Sequence, residues 1–253
     1  MNKRDFLKDA ILFFPAAATL QALATEAAGN AEPAKTPPDY DATRHWYGMG
    51  IDVDKCIGCN RCVEACKAEN DVPEEPFFFR TWIERYQIRQ NGETTVECIS
   101  TRAGPPEQAE PEDPTVVRTF FVPKLCNQCA HPPCVQVCPV GATFQTQDGV
   151  VLVDATRCIG CRYCIQACPY GARYLNPKTR TADKCTFCYH RVVKGLNPAC
   201  VEACPTQARI FGDLRGRASR LVRFTRLNKI HVLKPALNTE PKVYYAQLDG
   251  EVR

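Results

Sequence analysis

Sixteen of the seventeen cysteines fall into four groups of four whose spacing suits thiolate ligands of iron–sulfur clusters. Cys56, Cys59, Cys62 and Cys66 form a C-x2-C-x2-C-x3-C run, and Cys158, Cys161, Cys164 and Cys168 repeat it, now followed by Pro169. Two groups are stretched internally: Cys126, Cys129, Cys134 and Cys138 before Pro139, and Cys185, Cys188, Cys200 and Cys204 before Pro205. A cubane needs four thiolates, and the compact run lets one loop supply three of them. In two-cluster arrangements the fourth cysteine, before proline, ligates the other cluster. Four runs therefore imply four [4Fe–4S] clusters, and clusters move electrons.

Other uses of cysteine suit this pattern less. A disulfide framework belongs to small secreted scaffolds, whereas 253 residues with 45% hydrophobic composition can build a core without one. Zinc sites favour paired knuckles or Cys/His mixtures converging on one tetrahedral ion, and a third cysteine two residues further on does not fit that geometry. Cys98 is left over and reads as a small buried hydrophobe.

The elements that position these loops recur. An apolar stretch precedes three groups: Ile51 and Val53, Phe120 to Val122, and Val150 to Val153. A similar tail follows the last three: Pro139-Val-Gly-Ala142, Pro169-Tyr-Gly-Ala172 and Pro205-Thr-Gln-Ala208. Each unit reads as strand, cluster loop, short helix, strand. The first unit departs: Lys67 replaces the proline, so its helix runs through Ala68 and Glu69 until Asp71-Val-Pro73 stops it. The fold class expected is α+β, two bacterial-ferredoxin-like two-cluster modules with loop insertions. Spacing alone leaves open which halves pair.

From Tyr47 to Tyr245 the chain resembles the four-cluster iron–sulfur subunits of molybdopterin oxidoreductases of the dimethyl-sulfoxide-reductase type, nearest to polysulfide-reductase and nitrite-reduction members. The match is carried by Tyr47-Gly-Met49, Cys56-Ile-Gly-Cys59, Cys66-Lys-Ala-Glu-Asn70, Cys126-Asn-Gln-Cys129 and Cys158-Ile-Gly-Cys161-Arg-Tyr-Cys164. Thr181-Ala-Asp-Lys-Cys185-Thr-Phe-Cys188, Ala199-Cys200-Val-Glu-Ala-Cys204-Pro-Thr206 and Pro241-Lys-Val-Tyr-Tyr245 continue it. The resemblance implies that groups one and four share a module and groups two and three the other. One cluster then takes Cys56, Cys59, Cys62 and Cys204, and its neighbour Cys66, Cys185, Cys188 and Cys200. A third takes Cys126, Cys129, Cys134 and Cys168, and the last Cys138, Cys158, Cys161 and Cys164. Some relatives replace one ligand by tryptophan, but neither Trp46 nor Trp82 stands at a ligand position, so all four should be cubanes. The expected layout is an export signal over 1–24, a linker over 25–46, a first module from 47–100 and 182–215, a second over 115–181, and a C-terminal partner-contact extension over 216–253.

At the N-terminus a basic head, Met1 to Lys8, precedes an apolar stretch from Ile11 to about Ala24 with an Ala22-Leu-Ala24 cleavage pattern. The stretch is too short for a membrane span. Lys3-Arg4 before Phe6-Leu7-Lys8 resembles a twin-arginine export signal, which suits cofactors loaded in the cytoplasm before crossing to the periplasmic side. The formal charge of +4 does not signal nucleic acid, because each four-thiolate cubane brings about −2.

Asn30 to Pro38 and the acidic stretch from Ala103 to Pro114 read as solvated connectors. Arg217, Arg220, Arg223 and Arg226, beside Leu221, Phe224 and Leu227, read as a helix burying one face. His131 and His190 lie beside ligand cysteines and tune or pack, while Tyr163, Tyr170 and Phe187 shield clusters from water. No phosphate loop, nicotinamide fingerprint or hydrolytic triad is present in the sequence. The expected role is non-catalytic electron transfer, as a subunit linking a molybdopterin catalytic subunit to a polytopic membrane quinone-interacting subunit and touching the membrane only through that partner. A subunit of another respiratory complex (hydrogenase or quinone–cytochrome) and a free polyferredoxin carrier are the alternatives.

Overall fold

A buried four-stranded sheet organises the molecule. The computed structural model describes residues 39–75, 77–101 and 113–252. The signal over 1–24, the linker up to residue 38 and most of the 103–114 connector lie outside them. Strand β1 (Tyr47–Asp52) lies between β11 (Val243–Ala246), parallel to it, and β9 (Arg209–Asp213), antiparallel; β10 (Ile230–His231) extends the β11 edge. Met49, Ile51, Val243 and Tyr245 are fully buried here, and burying such side chains is the main favourable term in folding. The sheet joins the start, the fourth cysteine group and the C-terminal segment of the chain.

Between the first two groups stands an antiparallel sheet ordered β3 (Thr94–Cys98), β2 (Thr81–Arg89), β4 (Val116–Leu125). The β2–β3 reversal carries Asn91-Gly92, with Gly92 at a φ of +81° that glycine adopts without cost. Ile83, Val122 and Leu125 turn their apolar faces into the common core, and Tyr245 reaches across to donate to the Pro123 carbonyl at 3.1 Å. Two small ribbons, β5 (Thr143–Gln145) with β6 (Val151–Val153) and β7 (Tyr174–Leu175) with β8 (Ala182–Asp183), frame the second and third groups.

The helices are short. Arg61–Asn70 (α1) is the longer exception expected of the first unit, and ends where Asp71 takes a φ of +46°. Pro133–Gln136 (α2), Tyr163–Gln166 (α3), Tyr189–Val192 (α4) and Ala199–Glu202 (α5) are single turns carrying or flanking cysteines. Pro133 opens α2 at a position where a missing N–H costs no hydrogen bond.

Two segments differ from expectation. Within residues 216–252, expected as an extension, two elements join the core: β11 completes the central sheet, and α6 (Arg220–Leu227) buries Leu221 and Phe224 against it. Gly50 makes that approach possible, because a Cβ there would sit 2.6 Å from the Phe224 ring. Leu227, expected on the apolar face, is 71% exposed, and Arg217 precedes the helix. The amphipathic stripe thus ends one turn early, at Phe224. Residues 39–46, expected within the linker, are tied down: Tyr40 donates to Asp148 at 2.5 Å, and His45 Nδ1 stands 2.9 Å from Asp213. The buried Asp148 also accepts from the Tyr189 hydroxyl.

Leu221→Ala should therefore lower stability by about 3 kcal/mol, as large-to-small changes in closed cores do, whereas Leu227→Ala should stay within about 0.5 kcal/mol. Anaerobic thermal unfolding followed by circular dichroism separates the two; equal midpoints would contradict the packing of α6.

Candidate iron–sulfur site

The cysteine loops owe their shape to residues that reach left-handed backbone. Gly58 and Gly160, each in a Cys-Ile-Gly-Cys turn, have φ of +70° and +68°; a Cβ on Gly58 would meet the Phe121 ring at 2.7 Å. The next left-handed residues are Asn60 and Arg162, which open α1 and α3 at matching positions of the repeat. Cys59 and Cys161, also matching, are the exposed cysteines, with Ile57 and Ile159 exposed beside them.

Three small cavities lie among these loops. Cys56, Cys59, Cys62 and Cys204 line one of about 300 Å³, with Ile83, Pro123 and Arg209. Cys66, Cys185, Cys188 and Cys200 line one of about 270 Å³, with Met49, Asn70, Arg80 and Phe187. Cys126, Cys129, Cys134 and Cys168 line one of about 310 Å³, with Tyr170 and Arg173. Each draws thiols from two groups far apart in sequence, and the three are nearly equal in size. Cys138, Cys158, Cys161 and Cys164 lie around α2, α3 and the β7–β8 ribbon. There Cys134 and Cys164 share a small buried cluster that Cys158 packs against, Thr143 N–H donates to Cys138 Sγ at 3.4 Å, and Ala182 N–H to Cys158 Sγ at 3.4 Å.

Burial sets the character of the thiols. It pushes Cys129 up to about 12 and Cys56 and Cys200 up to about 11, and raises Cys66 and Cys185 as well. Cys138 and Cys204 move the other way: burial opposes the shift, but the N–H groups of Thr143, Val140 and Ala142 hold Cys138 below the usual thiol value. Cys204 is held low by the Thr206 hydroxyl and the Ala208 and Arg209 amides. Donors reach other sulfurs too. Arg173 Nη2 donates to Cys134 Sγ at 2.9 Å, Phe187 N–H to Cys185 at 3.4 Å, and Asn70 Nδ2 lies 3.6 and 3.5 Å from Cys66 and Cys188.

These sites fit a polynuclear anionic group. Among the described residues no three Cys, His, Asp or Glu converge closely enough for a single metal ion. Zinc requires such convergence, whereas a cubane binds each thiolate at a separate iron and holds the sulfurs apart around a central space. The buried cations agree: Arg209 Nη1 and Arg173 Nε have no hydrogen-bond partner, and each of these arginines lines a cavity. A desolvated guanidinium is costly unless negative charge lies nearby.

The remaining expectations divide. Phe187 is buried in the wall of the second cavity, and Tyr170 closes the third, its hydroxyl 2.6 Å from Thr239 Oγ1. Tyr163, expected to shield, is 58% exposed because its α3 turn faces outward. His190 Nε2 lies 2.6 Å from Glu69, beside the Arg191–Glu69 bridge, and His131 is exposed near Glu240. Cys98 ends the edge strand β3 opposite Glu84, half-buried rather than in the core. Sequence reasoning missed Arg80, Arg173, Arg209 and Lys184. Arg173 and Arg209 were legible in principle, each standing five residues after a group's last cysteine, directly after the tail alanine.

Two family models described as 4Fe-4S dicluster domains match residues 55–142 and 117–214, which makes this a 4Fe–4S protein. The chain is 45% identical to a tetrathionate reductase subunit of Salmonella typhimurium, over 81% of its own length and 74% of that relative's. It is 39% identical to a putative dimethyl sulfoxide reductase iron-sulfur subunit of Halobacterium salinarum (81% and 80%) and 37% identical to a chain of the polysulfide reductase of Wolinella succinogenes (78% and 92%). It belongs, with them, to one family of iron–sulfur electron-transfer subunits.

Since Gly58 combines positive φ with contact to Phe121, Gly58→Ala should strain the first loop and lower the iron content by about a quarter. Iron and acid-labile sulfide analysis of anaerobic protein checks this; undiminished iron would mean the loop does not depend on that turn.

Proposed function

We propose that this chain carries four [4Fe–4S] clusters and relays single electrons between a molybdopterin catalytic subunit and a membrane subunit that exchanges electrons with quinone. The observation that carries the reading is the gathering of cysteines from groups one and four around two cavities and from groups two and three around a third. Cys56, Cys59, Cys62 and Cys204 would hold one cluster, Cys66, Cys185, Cys188 and Cys200 a second, Cys126, Cys129, Cys134 and Cys168 a third, and Cys138, Cys158, Cys161 and Cys164 a fourth. On this reading the α+β fold is two two-cluster modules, 47–100 with 182–215 and 115–181, the first sharing its sheet with the C-terminal strands.

Each bound cluster supplies a one-electron couple. The residues of the protein do the rest. Amide and side-chain donors to sulfur and buried guanidinium groups stabilise the reduced, more negative state, while Phe187, Tyr170 and Met49 exclude water. Cys59 and Cys161, exposed in apolar-edged loops of different modules, are where redox partners would approach. On this reading the role is electron transfer without catalysis, the gathered thiols serving as cluster ligands.

No helix among the described residues is long and apolar enough to cross a membrane. Export by the twin-arginine route to the periplasmic side rests on Lys3-Arg4 and the apolar stretch after it.

Anaerobically purified protein should contain about sixteen iron and about sixteen acid-labile sulfides per polypeptide. Iron near eight, or stoichiometric zinc, would overturn the four-cluster reading. Cys204→Ser should alter the spectrum of the centre built on Cys56, Cys59 and Cys62. Deleting the gene should abolish quinone-linked activity while dye-linked activity of the catalytic partner persists; survival of the quinone-linked activity would overturn the bridging role.

A further inference from the structure

Arg173 and Arg209 occupy the same place in the internal repeat, directly after Ala172 and Ala208 in the tails of groups three and four. Both are nearly fully buried, at 5% and 2% exposure. Each is held by one threonine hydroxyl. Arg209 Nη2 donates to Thr81 Oγ1 at 2.7 Å, and Arg173 Nη1 to Thr143 Oγ1 at 3.3 Å. Among the described residues no carboxylate pairs with either, whereas Arg80 is bridged to Asp183 at 2.9 Å. Each keeps one buried N–H without a partner.

Their positions within the modules also correspond. Arg173 lines the cavity of Cys126, Cys129, Cys134 and Cys168, donates to Cys134 Sγ, and lies within electrostatic reach of Cys164 from the neighbouring set. Arg209 lines the cavity of Cys56, Cys59, Cys62 and Cys204, and lies within reach of Cys62 on one side and Cys200, in the neighbouring set, on the other. A guanidinium cannot lose its charge at any working pH. An uncompensated buried cation between two sites that gain negative charge favours the reduced form of both and lessens the repulsion between two reduced neighbours.

We propose that Arg173 and Arg209 are paired potential-setting residues, each placed between the two cluster sites of one module and raising the reduction potential of both. The proposal rests on the four-cluster reading above. The step it acts on is the gain of one electron from a reduced partner, with no proton taken up by the arginine and no sulfur ligand released.

The test is a dithionite titration of anaerobically purified full-length protein, followed by electron paramagnetic resonance. Arg209→Gln should shift the oxidised-to-reduced ratio at fixed ambient potential about tenfold toward oxidised, equivalent to a 59 mV fall for one electron. The shift should fall on the two centres of the first module and leave those of the second in place. Arg173→Gln should give the converse pattern, and Arg209→Lys and Arg173→Lys should restore most of each midpoint. Full iron content with midpoints unmoved overturns the proposal, as does a uniform shift in all centres. Should a Gln variant lose iron, Met and Lys variants are compared; equal iron loss in all of them assigns the arginines to packing and overturns the proposal. Wild-type iron far below sixteen would instead sink the four-cluster reading itself.

Discussion

Desolvated thiols contributed from distant parts of one polypeptide are the constraint on which this structure depends. Cys62, Cys126, Cys185 and Cys200 sit inside the main hydrophobic core rather than on its surface. Burial first, and the neighbouring thiols after it, push Cys129 and Cys185 above the usual thiol value. A buried thiolate is tolerable only where iron, amide donors or cations meet its charge. The single-turn helices, the left-handed loop residues and the buried arginines all answer that requirement.

The central sheet makes the crossover geometry possible. Strand β1 leads into the first loop, and β9 follows the fourth group's last cysteine. Their antiparallel pairing, Tyr47 opposite Asp213 through Ile51 opposite Arg209, brings Cys204 beside Cys56. The same register carries Arg209 into the core. The second and third cysteine groups use smaller devices, two ribbons and a proline-opened turn. Gln128 ties them to the fourth group: it donates to the Cys185 carbonyl at 2.6 Å and accepts from Val151 N–H at 2.7 Å. Lys184, fully buried, stands at that junction and donates to the Cys185 carbonyl. Charge and hydrogen bonding at the boundary therefore serve both assembly and the electrical environment of the sites.

Much of the site was legible from the amino-acid order alone, because ligand spacing is a local property. Three thiolates from one loop need a fixed number of residues between them, and the repeat of strand, loop, turn and strand shows as alternating apolar stretches and prolines. The helix through Asn70 and its stop at Asp71 follow from the missing proline at Lys67. What was misjudged depended on partners distant in sequence. Leu227 has the right spacing for the apolar stripe, but nothing among the described residues packs over it and it is exposed. Tyr163 is aromatic and beside a ligand, but its turn faces solvent.

The sequence by itself determined the sixteen-cysteine pattern, the unit repeat and the distinct first helix, because these are local: neighbouring cysteines within a group stand three to five residues apart, except Cys188 and Cys200 at twelve. Tertiary structure decided which thiols face one another across a common cavity, since C-x2-C spacing constrains one loop and is silent about the next. It decided that the C-terminal strand β11 is core, because a parallel strand partner nearly two hundred residues away, Val243 opposite Met49, leaves no local mark. It also decided the surroundings of the buried arginines. An arginine in a sequence is most often a solvated surface charge; only packing shows that Arg173 and Arg209 lie buried among the cysteines with no carboxylate to answer them.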